Sequence, residues 1–181
     1  PQQRYQDMVK AIQQSASQAG IEFDAIALLK LKGDTLRPIA TIGLKGEVFA
    51  RRFKLGSHPR LQIILESKQP TRFTLGSALP DPYDGLIESD KLQLRVHECM
   101  GSAIYIGDKP WGVLTLDAID TAELGAPESF NRWLNMAVIS SIIKTFEYIE
   151  TLESRAQHQH EITQRLLVNE LTPEIIGHSP V

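Results

Sequence analysis

The stretch CMGSAIYIGDKPWGVLTLD, residues 99–117, decides the fold. Two apolar runs, 99–106 and 111–117, flank Gly107-Asp108-Lys109-Pro110, whose residue types favour a tight reversal of the chain. The pattern predicts two antiparallel strands. With the turn centred between Gly107 and Lys109, the residue facing Cys99 is at or next to Asp117, within side-chain reach. Whether the two share a face depends on the register, which the pattern leaves open.

A second hairpin is expected upstream, where residues 23–31 and 36–42 are joined by Lys32-Gly33-Asp34. Before it, Met8, Val9, Ile12, Ala16 and Ala19 recur at helical spacing and stop at Gly20, predicting an amphipathic helix. Leu61, Ile64 and Leu65 predict a short helix over 59–67, with Ser57 as its cap. Residues 71–73 suit a brief strand. Residues 74–98 form a polar stretch rich in turn formers, and long irregular loops inside compact domains commonly carry function. From Trp133 through Met136, Ile139, Ile143, Phe146 and Leu152 the spacing predicts one long helix with more than one apolar face. Helix, hairpin, helix, polar loop, hairpin and long helix make an α+β domain, an antiparallel sheet flanked by helices.

The chain has 181 residues, enough for one domain with its own core plus an appendage. A net charge of -3 supplies no basic field for phosphates, so direct nucleic-acid binding is not expected. No apolar run reaches the ~20 residues that span a bilayer. The start, Pro1-Gln2-Gln3-Arg4, lacks the apolar core of a secretion signal, and a cytoplasmic location is expected. Cys99 is the only cysteine, so an internal disulfide is excluded. A lone thiol of this kind is a buried packing group, a nucleophile or a metal ligand.

Asp81-Pro82-Tyr83-Asp84 places two carboxylates three residues apart around a proline, a spacing that serves either a turn or a shared cation. Asp117 closes the apolar run Val113-Leu114-Thr115-Leu116, where it either caps the next turn or acts as a ligand. The 99–117 hairpin draws Cys99 towards Asp117, and the loop carrying Asp81 and Asp84 feeds into the Cys99 strand. Four such anions repel one another unless a cation joins them or some keep their protons. Mixed oxygen and sulfur donors suit a borderline ion such as ferrous iron better than calcium or magnesium. Arg60 is either an exposed helix residue or a charge partner for this group, and His97, two residues before Cys99, is a further candidate. The sequence holds no phosphate-binding glycine loop, paired-cysteine motif or HExxH helix.

The order of elements resembles a GAF domain. More specifically, Arg51-Arg52-Phe53, His58-Pro59-Arg60-Leu61, Leu79-Pro80-Asp81-Pro82-Tyr83-Asp84-Gly85-Leu86, Val96-His97-Glu98-Cys99 and Leu114-Thr115-Leu116-Asp117 resemble the amino-terminal GAF domain of the NorR family of nitric-oxide-responsive regulators. Ile175-Ile176-Gly177-His178-Ser179-Pro180 independently resembles the opening of the ATPase domain in sigma-54-dependent activators. The first resemblance implies a mononuclear non-haem iron, Fe(II), held by Asp81, Asp84, Cys99 and Asp117, with nitric oxide as its ligand. A guanidinium keeps its proton and offers no lone pair, so Arg60 is expected as a charge partner or gate rather than a donor. Tyr83 and His97 are expected to support or gate the site.

Together the resemblances imply a GAF sensor over 1–145, a helical linker over 146–170, and at 171–181 the start of an AAA+ ATPase domain that the sensor restrains. Apolar residues on several faces of the long helix suggest a homodimer. The alternative is a metal-free GAF module that binds a small organic effector or serves to dimerise. An enzyme is not expected, since one cysteine has no resolving partner and the donors lack the two-histidine, one-carboxylate pattern of iron oxygenases.

Overall fold

Period-two patterning in the two hairpins builds the centre of the protein. The computed structural model describes residues 2–74, 77–88, 98–118 and 127–172. Among these residues the strands are β1 (Ala25–Lys32), β2 (Thr35–Ile42), β3 (Phe53–Lys54), β4 (Thr71–Phe73), β5 (Glu98–Ile106) and β6 (Lys109–Ala118). They form one sheet in the order β3-β2-β1-β6-β5-β4, every neighbouring pair antiparallel. Gly33 and Gly107 begin the two hairpin turns at φ 64° and 63°, the left-handed region that such short reversals require.

Side chains alternate across this sheet. Ala25, Ala27 and Leu29 of β1, Val113 of β6, Cys99 of β5 and Phe73 of β4 join one apolar cluster with Leu61, Ile64 and Leu65. Those last three belong to α2 (Pro59–Glu66), which lies over β5 and β6. On the reverse side, α1 (Gln2–Gln18) covers β1 and β2 with Met8, Val9, Ile12 and Ala16, and stacks Tyr5 on Trp111. Burying a side chain of this size contributes about 1.5–3 kcal/mol. α1 ends at Gly20 with φ 76°, and Ala19 is exposed beyond the buried stripe.

Two local expectations are corrected. Ser57 does not cap α2: the capping position is His58, which makes no side-chain cap bond, and Pro59 starts the helix with a residue that has no N–H to satisfy. The long helix is also not continuous from Trp133. It divides into α3 (Pro127–Trp133) and α4 (Met136–Leu171), because the Asn135 side chain accepts the N–H groups of Ala137 at 3.0 Å and Val138 at 3.4 Å and so opens a new helix. The polar stretch 74–98 is described at 74, 77–88 and 98; its remainder, with His97, lies outside the described residues, as do 173–181. Two compact units are resolved, Pro1–Ile143 and Lys144–Val181, and in the second all described residues from Thr151 to Leu171 are exposed. Among the described residues no helix is long and apolar enough to cross a membrane.

The register of β5 against β6 turns on one bulge. Ile106 faces Lys109 and Tyr105 faces Pro110, but Ile104 faces Gly112, so Trp111 is an extra residue on β6. Had the first pairing continued unbroken, Cys99 would face Leu116. Because of the bulge it faces Asp117, and both side chains enter the α2 side of the sheet. Directly opposed Cα atoms on antiparallel strands stand about 4.5–5.5 Å apart, within disulfide range. Asp117→Cys is therefore expected to cross-link to Cys99 under oxidation while Leu116→Cys does not, read by thiol counting and the mass of a peptide pair; the reverse result would refute the register.

Candidate metal centre

Three segments meet at one end of strands β5 and β6. β5 supplies Cys99, β6 supplies Asp117 opposite it, and the turn before Tyr83 supplies Asp81. Donor atoms of the three lie within 4.8 Å of one another. Cys99 and Asp117 are essentially without solvent contact, and only 7% of the Asp81 side chain is exposed. Ala25, a small residue, flanks Asp117 on its β1 side.

A positive charge comes from α2. Arg60, in the first turn, gives its NH1 group to Asp81 Oδ2 at 3.1 Å and its Nε–H to the Leu79 carbonyl at 2.9 Å, with the guanidinium 5.3 Å from the Phe73 ring centroid. Asp81 Oδ1 accepts the backbone N–H of Tyr83 at 2.8 Å. Both partners of this ion pair are buried. Removing one member of such a pair costs about 3–5 kcal/mol, because the other charge stays behind in a medium that solvates it poorly.

Burial, then the Asp117 and Asp81 carboxylates, push the Cys99 thiol well above its ordinary range; Arg60 opposes them, and a hydrogen bond to Asp117 adds to the rise. The Tyr83 phenol is also raised, by burial and then by Asp117. Without a cation, Cys99 therefore keeps its proton at neutral pH. Among the described residues, a Cys99 thiolate and two carboxylates would set three negative charges against the Arg60 guanidinium, a remainder of two that suits a single divalent ion. The donor set thus fits a thiolate-tolerant divalent metal, whose binding must release the thiol proton.

The expected site residues separate here. Asp81, Cys99 and Asp117 come together, with Arg60 buried beside Asp81. Asp84 is exposed and outside that group, in a turn where Gly85 takes φ 77°. Tyr83 is buried, its hydroxyl 2.9 Å from Thr115 Oγ1 and its ring edge-on to Phe53. Sequence reasoning missed Thr115 and Phe73. Thr115 carried a usable signal, a polar residue two before Asp117 and hence on the same strand face. Phe73 carried none, since its contact with Arg60 joins separate segments.

No family model matches the chain. It is 38% identical over 141 residues to the anaerobic nitric oxide reductase transcription regulator NorR of Aliivibrio fischeri, an alignment covering 77% of this chain and 26% of the relative. It is 41% identical over 122 residues to the nitric oxide reductase transcription regulator NorR1 of Cupriavidus necator, covering 67% of this chain and 24% of the relative. The chain belongs with the GAF regions of the NorR regulators. It spans about a quarter of the length of these two NorR relatives. Its fold matches the GAF domain of a two-component sensor histidine kinase from Bacillus halodurans with TM-score 0.58 at 16% identity, over 80% of this chain and 96% of that one. The NorR relatives are named as transcription regulators.

In the metal-free protein the raised thiol ties stability to alkaline pH. The unfolded chain releases the Cys99 proton near pH 8.5, whereas the folded chain retains it. The unfolded state therefore binds fewer protons above that pH, and stability falls as pH rises through and beyond it, with Tyr83 adding to the fall from about pH 10. Thermal unfolding of metal-free protein across pH 7 to 10.5 should show this decline. Cys99→Ala should lower the starting stability and remove the earlier part of the slope; an unchanged slope would show that the thiol is not the titrating group.

Proposed function

We propose that this chain is the sensory part of a transcription regulator, with Asp81, Cys99 and Asp117 holding one mononuclear non-haem ferrous iron that receives nitric oxide. The observation that carries the reading is the buried trio of donors with a charge remainder suited to a divalent ion. The nitric oxide in the names of the NorR relatives favours iron over other divalent metals. When bound, ferrous iron supplies filled d orbitals and a labile position for the gas. Asp84 would add a fourth donor through rotation of its turn, and His97, two residues before Cys99 in the sequence, would support the site.

The residues of the chain set the response. Arg60 competes with the cation for Asp81 and is tethered to the Leu79 carbonyl, so a change in the charge on Asp81 alters the hold of α2 on the loop. That makes Arg60 a gate. The two states must differ in affinity for the gas, and by linkage the gas then favours one of them. The output is relief of the restraint on an attached AAA+ ATPase domain that begins at 171–181, reached from the GAF domain at 1–145 through the linker at 146–170, in a cytoplasmic protein. The sensor itself does not contact nucleic acid.

A second reading, a metal-free GAF module that binds a small organic effector or dimerises, is favoured by the Arg60–Asp81 pair, which gives the Asp81 carboxylate a counter-charge without a metal. Metal analysis on protein made with iron and kept free of oxygen separates the two. Iron-loaded protein should gain a new electron paramagnetic resonance signal on exposure to nitric oxide, and Asp81→Ala and Cys99→Ala should each abolish it. A loaded sample with no new signal, or with the same signal in both variants, sinks the iron reading.

Dimerisation is supported by the second unit. Residues 149, 152, 156, 159, 163 and 166 of α4 step by three and four, and include Ile149, Leu152, Ala156 and Leu166; Phe146, Tyr148, Ile162 and Leu167 flank this seam. Glu147, Glu150, Ser154, Gln157, Glu161 and Gln164 lie away from it. A parallel pair of identical helices buries such a stripe, and helices in proteins draw most of their stability from packing an apolar face. Leu152→Glu with Leu166→Glu should halve the mass measured by light scattering; a monomeric parent chain would overturn the homodimer.

A further inference from the structure

Thr115 is fully buried, polar, and unused by the metal reading. Its neighbours across the sheet are Ala27 on β1 and Gly101 on β5, the two smallest kinds of side chain, so the strand face is low at this point. Tyr83 reaches it there. The phenol oxygen sits 2.9 Å from Thr115 Oγ1, while the backbone N–H of the same tyrosine, at 2.8 Å, holds Asp81 Oδ1. Phe53 meets the Tyr83 ring edge-on, with centroids 5.7 Å apart, and fixes its tilt. One rigid residue thus spans from β6 to the Asp81 carboxylate, and Asp117 lies two residues from Thr115 on the same face.

We propose that Thr115 and Tyr83 form a strut that sets the separation of Asp81 from Asp117 and Cys99, making both of them positioning residues of the metal centre. The inference rests on the metal reading, because a strut matters only if the three donors must close on one ion. A plain packing role predicts something different. Two hydroxyls bonded to each other inside a core can be replaced together by apolar groups of the same shape at little cost. A strut, in contrast, is broken as fully by losing either end as by losing both.

The experiment uses cobalt(II) as an air-stable probe with a visible thiolate charge-transfer band, titrated into the whole chain and into Tyr83→Phe, Thr115→Val, the double variant and Thr115→Ser. Each of the first two should weaken cobalt binding about 10–100-fold, the usual effect of removing a group that orients a metal ligand. Both should also shift the ligand-field bands. The double variant should bind no more weakly than the worse single one, and Thr115→Ser, which keeps the hydroxyl, should bind as the parent does. Phenylalanine and valine preserve the packed shapes, and circular dichroism confirms that each titrated variant is folded. Unchanged affinity and spectra in folded single variants, or losses that multiply in the double variant, overturn the strut and leave the metal reading standing. Absence of any cobalt band in the parent chain overturns both.

Discussion

The Asp81, Asp117 and Cys99 donors crowd within 4.8 Å of one another in a place that water hardly reaches, and the surrounding structure answers that crowding. Like charges so close and so poorly solvated cannot all persist. The protein meets the constraint in two ways. Arg60, delivered by the first turn of α2, pairs with Asp81, and the thiol keeps its proton in a hydrogen bond to the Asp117 carboxylate. A divalent ion entering with loss of the thiol proton would offset the crowded negative charge.

The elements around the centre are shaped to tolerate it. Ala25, Ala27 and Gly101 keep the sheet low beneath Asp117 and Thr115, where larger residues would fill the space with hydrocarbon. At Gly101 an added Cβ would stand 2.7 Å from Ile64 Cδ1, so the glycine also sets how near α2 approaches, and with it Arg60. On the opposite face of the same strands, Glu98 pairs with Arg72 of β4, one residue before Cys99. Phe73, next to Arg72, turns inward under the Arg60 guanidinium. β4 is only three residues long, yet it ties both faces of the sheet to the centre.

A GAF fold hosts many ligands, and likeness at 16% identity speaks only to the fold. The proposed function draws on the side chains at one end of β5 and β6 and on kinship with the NorR regulators. The exposed stripe on the second unit is a separate matter. It concerns assembly, and it needs no metal.

Much of this was legible in the sequence. Alternation in the two hairpins determined the strands, the stripe Met8, Val9, Ile12 and Ala16 determined the first helix, and the out-of-pattern Asp117 marked the end of β6 as unusual. These are local signals, set by the period of one element against one core. The break at Asn135 was local as well, and was overlooked because an apolar run continues across it. Tertiary structure alone decided the rest. An extra Trp111 in the ladder, seated against Tyr5 of a distant helix, moves the register by one residue and turns Asp117 to the same face as Cys99. Burial beside that pair then makes Arg60 a buried charge partner and leaves Asp84 in solvent. Period two specifies that alternate residues share a face; which face is settled only when a second strand pairs with the first, and that pairing is a property of the packed molecule.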